Sequence, residues 1–226
     1  MNLLHRTGLA AALLLALPLA RAGDLKAFNG SYRASYNNMA ANATMALAPA
    51  GNGRWTYSMS VQNALVQLNR TATVDASGAQ LRPLGNRETI NMLVKRKSKQ
   101  ASFDWSGSQA SWSGDVKPDR RGPVRLQAGD VDGMTLNLAI VRDALAGKPM
   151  RYRLIENGKA KPLAFSAGGR ENVSIGGKPV QALKVSGNDG DSQMTLWVAE
   201  GIPVPVRILQ RDDDGDTIDL RLQSVK

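Results

Sequence analysis

Residues 28–36 read FNGSYRASY, and the alternation in these nine residues decides the fold class. Phe28, Gly30, Tyr32, Ala34 and Tyr36 share one parity; Asn29, Ser31, Arg33 and Ser35 share the other. A period of two with one apolar side is the signature of a strand with one buried face. The same beat recurs in RWTYSMSVQ (54–62), where Trp55, Tyr57, Met59 and Val61 alternate with Arg54, Thr56, Ser58 and Ser60. It returns in NATMAL, LNRTATVD, MRYRL and PLAFSA, and closes in TIDLRLQS with Ile218, Leu220 and Leu222 on one side.

Clusters of Gly, Asn and Asp separate these runs: APAGNGR, DASGAQ, ENGK, IGGK, GNDGD and DDDGD. Such residues supply the positive φ angles of tight turns. Short strands with turns between them predict an antiparallel meander of roughly ten to twelve strands. The stretch 130–149 departs from the pattern. Met134, Leu138, Val141 and Leu145 recur at helical spacing, Asp130 or Asp132 can cap the start, and Gly147 with Pro149 ends it. One amphipathic helix near 132–146 is expected, packed on the sheet. The basic, Pro- and Gly-rich VKPDRRGPVRLQAG before it reads as a long loop.

The chain begins with a short basic start and an apolar run from Leu9 to Leu19, followed by Ala20-Arg21-Ala22. This is the layout of a secretory signal peptide over residues 1–22, leaving a single β-rich periplasmic domain over 23–226. The apolar run is shorter than the roughly 20 residues of a membrane span, and no later segment is apolar enough. Trimming removes His5, the only histidine, from a chain with no cysteine and a net charge of +10. Ser-His-Asp and Cys-His catalysis, His/Cys zinc sites and disulfides are thereby excluded from the mature chain.

Several stretches invite a site. In MLVKRKSKQASFDW (92–105), Ile90, Met92 and Val94 hold even positions, whereas Ala101, Phe103 and Trp105 hold odd ones. One straight strand cannot change its apolar parity, so Lys95 to Lys99 is expected at a hairpin tip or bulge, its charges in solvent. Lys95, Arg96, Lys97 and Lys99, joined by Arg120, Arg121 and Arg125, form a candidate anion-binding zone. TLWVAEG (195–201) and the Met194 before it are apolar on both parities, which predicts a central strand covered on both faces. Phe28, Tyr32, Trp55, Tyr57, Met59 and Trp197 are the candidate wall of an apolar ligand cavity. The run Asp212-Asp213-Asp214-Gly215-Asp216 has its glycine fourth rather than sixth, so it reads as a hairpin turn and not a calcium loop; Asp189-Gly190-Asp191 reads the same way. No spacing singles out a carboxylate pair among Asp130, Asp132, Glu171 and Glu200.

The order of elements resembles DUF3108, a domain-of-unknown-function family of exported bacterial proteins. FNGSYRASY resembles its opening aromatic strand, and AGDVDGMTLNLAIVRDAL its Asp-led helix. GGRENVSIGGKPVQALKVS resembles its late hairpin, and TLWVAEGIPVPVRILQRDDDGDTIDLRL its closing strands. The resemblance implies a periplasmic protein built on a strongly curved antiparallel meander sheet or half-barrel, similar in outline to lipoprotein carriers. No cofactor, metal, nucleic acid or enzymatic activity is expected. The expected partner is an apolar or amphipathic anionic, lipid-like envelope ligand; the alternative is an envelope protein contacted by an assembly factor.

Overall fold

A computed structural model describes residues 25–188 and 192–226. The expected signal peptide and the Asp189–Asp191 turn lie outside the described residues. The chain runs through two meanders. The first is β1 (Phe28–Tyr36), β2 (Met39–Gly51), β3 (Arg54–Gln62), β4 (Val66–Asp75), β5 (Arg82–Met92), β6 (Lys95–Asp104), β7 (Gln109–Gly114) and β8 (Val124–Arg125). A two-residue strand β9 (Asp130–Val131) then leads into the helix α1 (Gly133–Leu145). The second meander continues through β10 (Met150–Glu156), β11 (Lys159–Ile175), β12 (Lys178–Asn188), β13 (Ser192–Val198), β14 (Arg207–Asp212) and β15 (Thr217–Val225).

All belong to one 15-stranded sheet in the order β8 to β1, then β15 back to β9. Every neighbour pair is antiparallel except β9 with β10. The first and last long strands, β1 and β15, pair across the middle, so both ends of the described chain are tied into the sheet. Its two edges, β8 and β9, are only four residues apart in the chain, yet no ladder joins them. The sheet is therefore strongly curved but not closed into a barrel. Side chains bridge the seam instead. Phe103 and Trp112, edge to face at 6.3 Å, pack with Leu126 and with Ile155 of β10. Arg153 of β10 donates to the Arg125 carbonyl at 3.2 Å and to the buried Asp130 carboxylate at 2.7 Å.

The helix begins one residue later than expected, and its cap is Asp132. That carboxylate accepts from the Thr135 N–H at 2.8 Å and from the Asn86 amide at 2.7 Å. Gly147 follows the helix in the left-handed conformation, φ +63°. Met134, Leu138 and Val141 are buried as the spacing predicts, whereas Leu145, the last helical residue, is 38% exposed. α1 lies in the concavity, touching β4, β9, β10 and β13.

The parity change between Val94 and Ala101 is a hairpin, but its tip is elsewhere than expected. Met92 pairs with Lys95, so the turn is Leu93-Val94 and Lys95 to Lys99 already belong to β6. A two-residue turn pairs even with odd positions, which is the parity change itself. Asp212–Asp216 forms the expected hairpin turn, with the Gly215 N–H donating to the Asp212 carbonyl at 3.0 Å. Strand β13 is central, and Thr195, Leu196, Trp197 and Val198 are all buried.

Candidate functional site

Alternation sends one parity of each strand into the concavity, and register aligns these residues in rows across the sheet. One row runs Met45–Met59–Arg70–Glu88–Lys99 from β2 to β6. The next row outward runs Ala43–Val61–Leu68–Ile90–Lys97. A third, at the strand ends, contains Val66–Met92–Lys95. The first two rows are apolar on β2 and β3, the third on β4 and β5, and each ends in a lysine on β6. Four strand spacings of about 4.8 Å place the β2 and β6 ends of the longer rows roughly 19 Å apart.

The apolar ends of the first two rows border a cavity of about 410 Å³. Met45, Met59, Val61 and Leu68 form one wall, and Leu163, Phe165, Met194, Ile208 and Leu220 form the other. The first turn of α1 closes its side with Met134 and Leu136. Part of this space exists because residue 187 is glycine. A Cβ there would stand 2.6 Å from the Phe165 ring and 2.7 Å from the Ala164 carbonyl, so only a bare backbone lets Phe165 lie against β12. The cavity reaches the sheet end that carries Tyr36, Asn188, Ser192, Gln210 and Ile218.

Arg70 is the cation on the cavity wall. It is ion-paired with Glu88, which also holds Lys99 at 3.2 Å, so one carboxylate sits between two cations. Lys99 also donates to the Asn157 side chain at 3.0 Å. Beside that turn lies a smaller depression bordered by Arg120, Glu156, Lys159 and Lys161. The anion-binding candidates thus divide. Lys99 and Arg120 meet at the Asn157–Gly158 turn. Lys95, Arg96 and Lys97 stand exposed toward the hairpin tip, with Lys95 and Lys97 on the concave side rather than in a free turn. Arg121 is held by its backbone, its carbonyl accepting from the Trp112 N–H at 2.8 Å.

Of the six residues expected to wall the cavity, Met59 borders it. Phe28, Tyr32 and Tyr57 face the concavity but form solid core beyond the cavity. Phe28 and Tyr57 stack edge to face at 6.0 Å, and the Tyr32 hydroxyl donates to the Pro205 carbonyl at 2.9 Å. Burial pushes the Tyr57 phenol far above its ordinary pKa, so it stays neutral. Trp55 is half-buried beside that core. Trp197 has the opposite parity to Met194 and faces away from the cavity. There it lies beneath the Arg207 guanidinium, 4.6 Å from the ring centre, and its indole N–H donates to Glu171. Aromatic residues are large enough to fill the curved end completely, whereas the cavity is bounded mainly by Met, Leu and Ile.

The four weighed carboxylates each have a structural partner: Asp130 with Arg153, Asp132 with the helix start, Glu171 with Trp197, and Glu200 with Arg170 at 2.7 Å. Among the described residues, no group of three or more His, Cys, Asp or Glu is placed to hold a metal ion. No helix among them is long and apolar enough to cross a membrane.

The fold is similar to a beta-barrel-like protein of domain of unknown function DUF1849 from Brucella abortus. The TM-score is 0.57 at 11% identity, covering 89% of this chain and 98% of that one. Lower similarities are found to MucB (TM-score 0.37, 11% identity, 92% of this chain and 55% of that one) and to the MucA/MucB complex of Pseudomonas aeruginosa (0.38, 10%, 88% and 51%). No curated protein matches the sequence. The family model described as "Protein of unknown function (DUF3108)" matches residues 31–223, and the chain belongs to that family.

Proposed function

We propose that this is a non-enzymatic, exported envelope protein that holds an apolar or amphipathic anionic, lipid-like ligand. The observation that carries the reading is the 410 Å³ cavity lined mainly by apolar side chains, with Arg70 on its wall and rows leading from it to the lysines of β6. Its volume falls within the ~300–1,000 Å³ range of small-molecule sites. An acyl chain in the apolar end would place its anionic group toward Arg70, Lys99 and Lys97. Periplasmic residence follows from the signal-peptide reading of residues 1–22. The assembly-factor alternative by strand addition finds little template, because both edge strands are two residues long.

Each methylene taken out of water contributes about 0.8 kcal/mol. Lengthening a fatty acid by two carbons should therefore tighten binding roughly tenfold until the cavity is full. The test is displacement of a fluorescent fatty acid from delipidated protein, with Met59→Trp as the cavity-filling variant. Uptake that rises with chain length and is lost in M59W supports the reading, as does a lipid co-purifying in native mass spectrometry. A protein that purifies empty and takes up no fatty acid of any length overturns it.

A further inference from the structure

The hairpin turns β1–β2, β3–β4 and β5–β6 lie at one end of the sheet, because Tyr36 pairs with Met39, Gln62 with Gln67 and Val66 with Met92. This is the end reached by the cavity. Among the described residues, eight large hydrophobic side chains are exposed, and seven of them stand on these three tips: Tyr36, Met39, Leu65, Val66, Met92, Leu93 and Val94. Val94 is 98% exposed and Leu93 77%. A soluble surface scatters its exposed hydrophobics singly.

Turn geometry does not explain Leu93-Val94. Asn37-Asn38, Asn52-Gly53, Asn157-Gly158 and Gly176-Gly177 all use residues suited to positive φ, and adopt it. Leu93 and Val94 do not have positive φ, bury little, and offer no turn-forming side chain. Lys95, Arg96 and Lys97 follow immediately, all exposed. The tip segments 36–42, 62–67 and 91–97 contain no acidic residue. Beside the β1–β2 tip, and farthest in sheet order from the β5–β6 tip, the β14–β15 turn carries the exposed Asp213 and Asp214, and its Asp216 accepts from the Tyr36 hydroxyl and the Asn37 amide.

We propose that these three hairpin tips dock on the surface of an anionic phospholipid bilayer, with Leu93 and Val94 entering the interface and Lys95, Arg96 and Lys97 lying against the headgroups. Apolar side chains beside cations are the pattern of interfacial binding, in which buried apolar area and attraction to anionic lipid add. The acidic β14–β15 turn, bonded to the β1–β2 tip, is repelled by the same surface, so the mouth meets it tilted, with the β5–β6 tip deepest and the β1–β2 tip shallowest. Only the purpose of docking, exchange of ligand between cavity and bilayer, rests on the function proposed above; the docking is read from the rim.

The experiment is co-sedimentation of the full mature chain with vesicles of phosphatidylethanolamine and phosphatidylglycerol, and with neutral phosphatidylcholine vesicles. Wild type is expected to bind the anionic vesicles and to release as salt rises, since the Debye length shrinks from about 10 Å at 0.1 M to about 3 Å at 1 M. Changing Lys95, Arg96 and Lys97 to Ser should weaken binding about a hundredfold, three charges each acting near the surface. Leu93→Ser with Val94→Ser should cost at least about tenfold with the cations intact. Asp213→Ser with Asp214→Ser should bind as well as wild type or better. M59W, which blocks the cavity, should still dock, so loss of ligand uptake alone leaves the rim standing. L93S/V94S binding equal to wild type, equal binding to neutral vesicles, or tip-dependent dimers in sedimentation without vesicle binding would each overturn the proposal. The tip and turn substitutions lie at exposed positions, and for these and for M59W a far-UV spectrum identical to wild type checks that the fold is kept.

Discussion

Replacing Asp132 by Ala should loosen the helix that closes the cavity. Asp132 is 1% exposed and makes two bonds, to the Thr135 N–H at 2.8 Å and to the Asn86 amide at 2.7 Å. Loss of an N-cap costs about 1 kcal/mol. Leaving the part-buried Asn86 amide without its acceptor adds about 1–3 kcal/mol. The sum is roughly 2–4 kcal/mol. For a domain of this size each kcal/mol moves the melting temperature by about 2–4 °C, so a fall of roughly 5–15 °C is expected by circular dichroism. Asp132→Asn keeps a good cap but turns an amide toward the Asn86 amide, and should melt between the two. Fatty-acid uptake should weaken in D132A as well, because Met134 and Leu136 in the first turn line the cavity. A D132A protein melting within about 2 °C of wild type would refute the reasoning, and equal melting of D132A and D132N would deny the cap its share.

Thr135 is fully buried and its hydroxyl has no hydrogen-bond partner, so Thr135→Val should raise stability by about 1 kcal/mol; a melting temperature lowered by more than about 2 °C would mean the hydroxyl is satisfied. Gly187→Ala should drive Phe165 into the cavity, lowering stability by about 1–3 kcal/mol and fatty-acid uptake with it; unchanged uptake counts against the wall assigned to β11 and β12. Asp219 is partly buried, which alone would raise its pKa, but hydrogen bonds from Arg207 and Arg221 hold it below the ordinary carboxyl value. Its contribution is therefore complete above the unfolded value near ~3.9 and lost as pH falls through the lower folded value. Urea midpoints measured against pH should drop steeply below about pH 4 in wild type and more gently in Asp219→Asn, and parallel curves would contradict the assignment.

Much of the fold could be read from local chemistry. FNGSYRASY is a strand buried on its even face, and only its last residue, Tyr36, breaks the pattern by standing on the rim at 44% exposure. The helix, an aspartate cap at 130 or 132 and its glycine stop were legible because caps and periodicity act within one or two turns; the structure chose Asp132. The strand count was less legible. The two-residue strands β8 and β9 have no periodicity to show, and they form only because the curved sheet brings their neighbours alongside.

The site divides in the same way. Alternation specified which side chains share a face, and so placed Met59 in the concavity and allowed the lysines of β6 to be suspected. It could not separate Phe28 and Tyr57, which fill the concavity solidly, from Met45 and Leu68, which leave space, because a void depends on how far opposing walls stand apart. Nor could it say that Trp197 faces outward beneath Arg207, since a strand buried on both sides reads the same from either face. What the sequence by itself determined was a β-meander with one capped helix, without cysteine and with His5 as its single histidine. What only the tertiary structure decided was the cavity, the rows leading from it to lysine, and the gathering of three apolar hairpin tips at its mouth. The physical reason is range: propensity and periodicity act between near neighbours in the chain, whereas curvature and register join residues far apart in it.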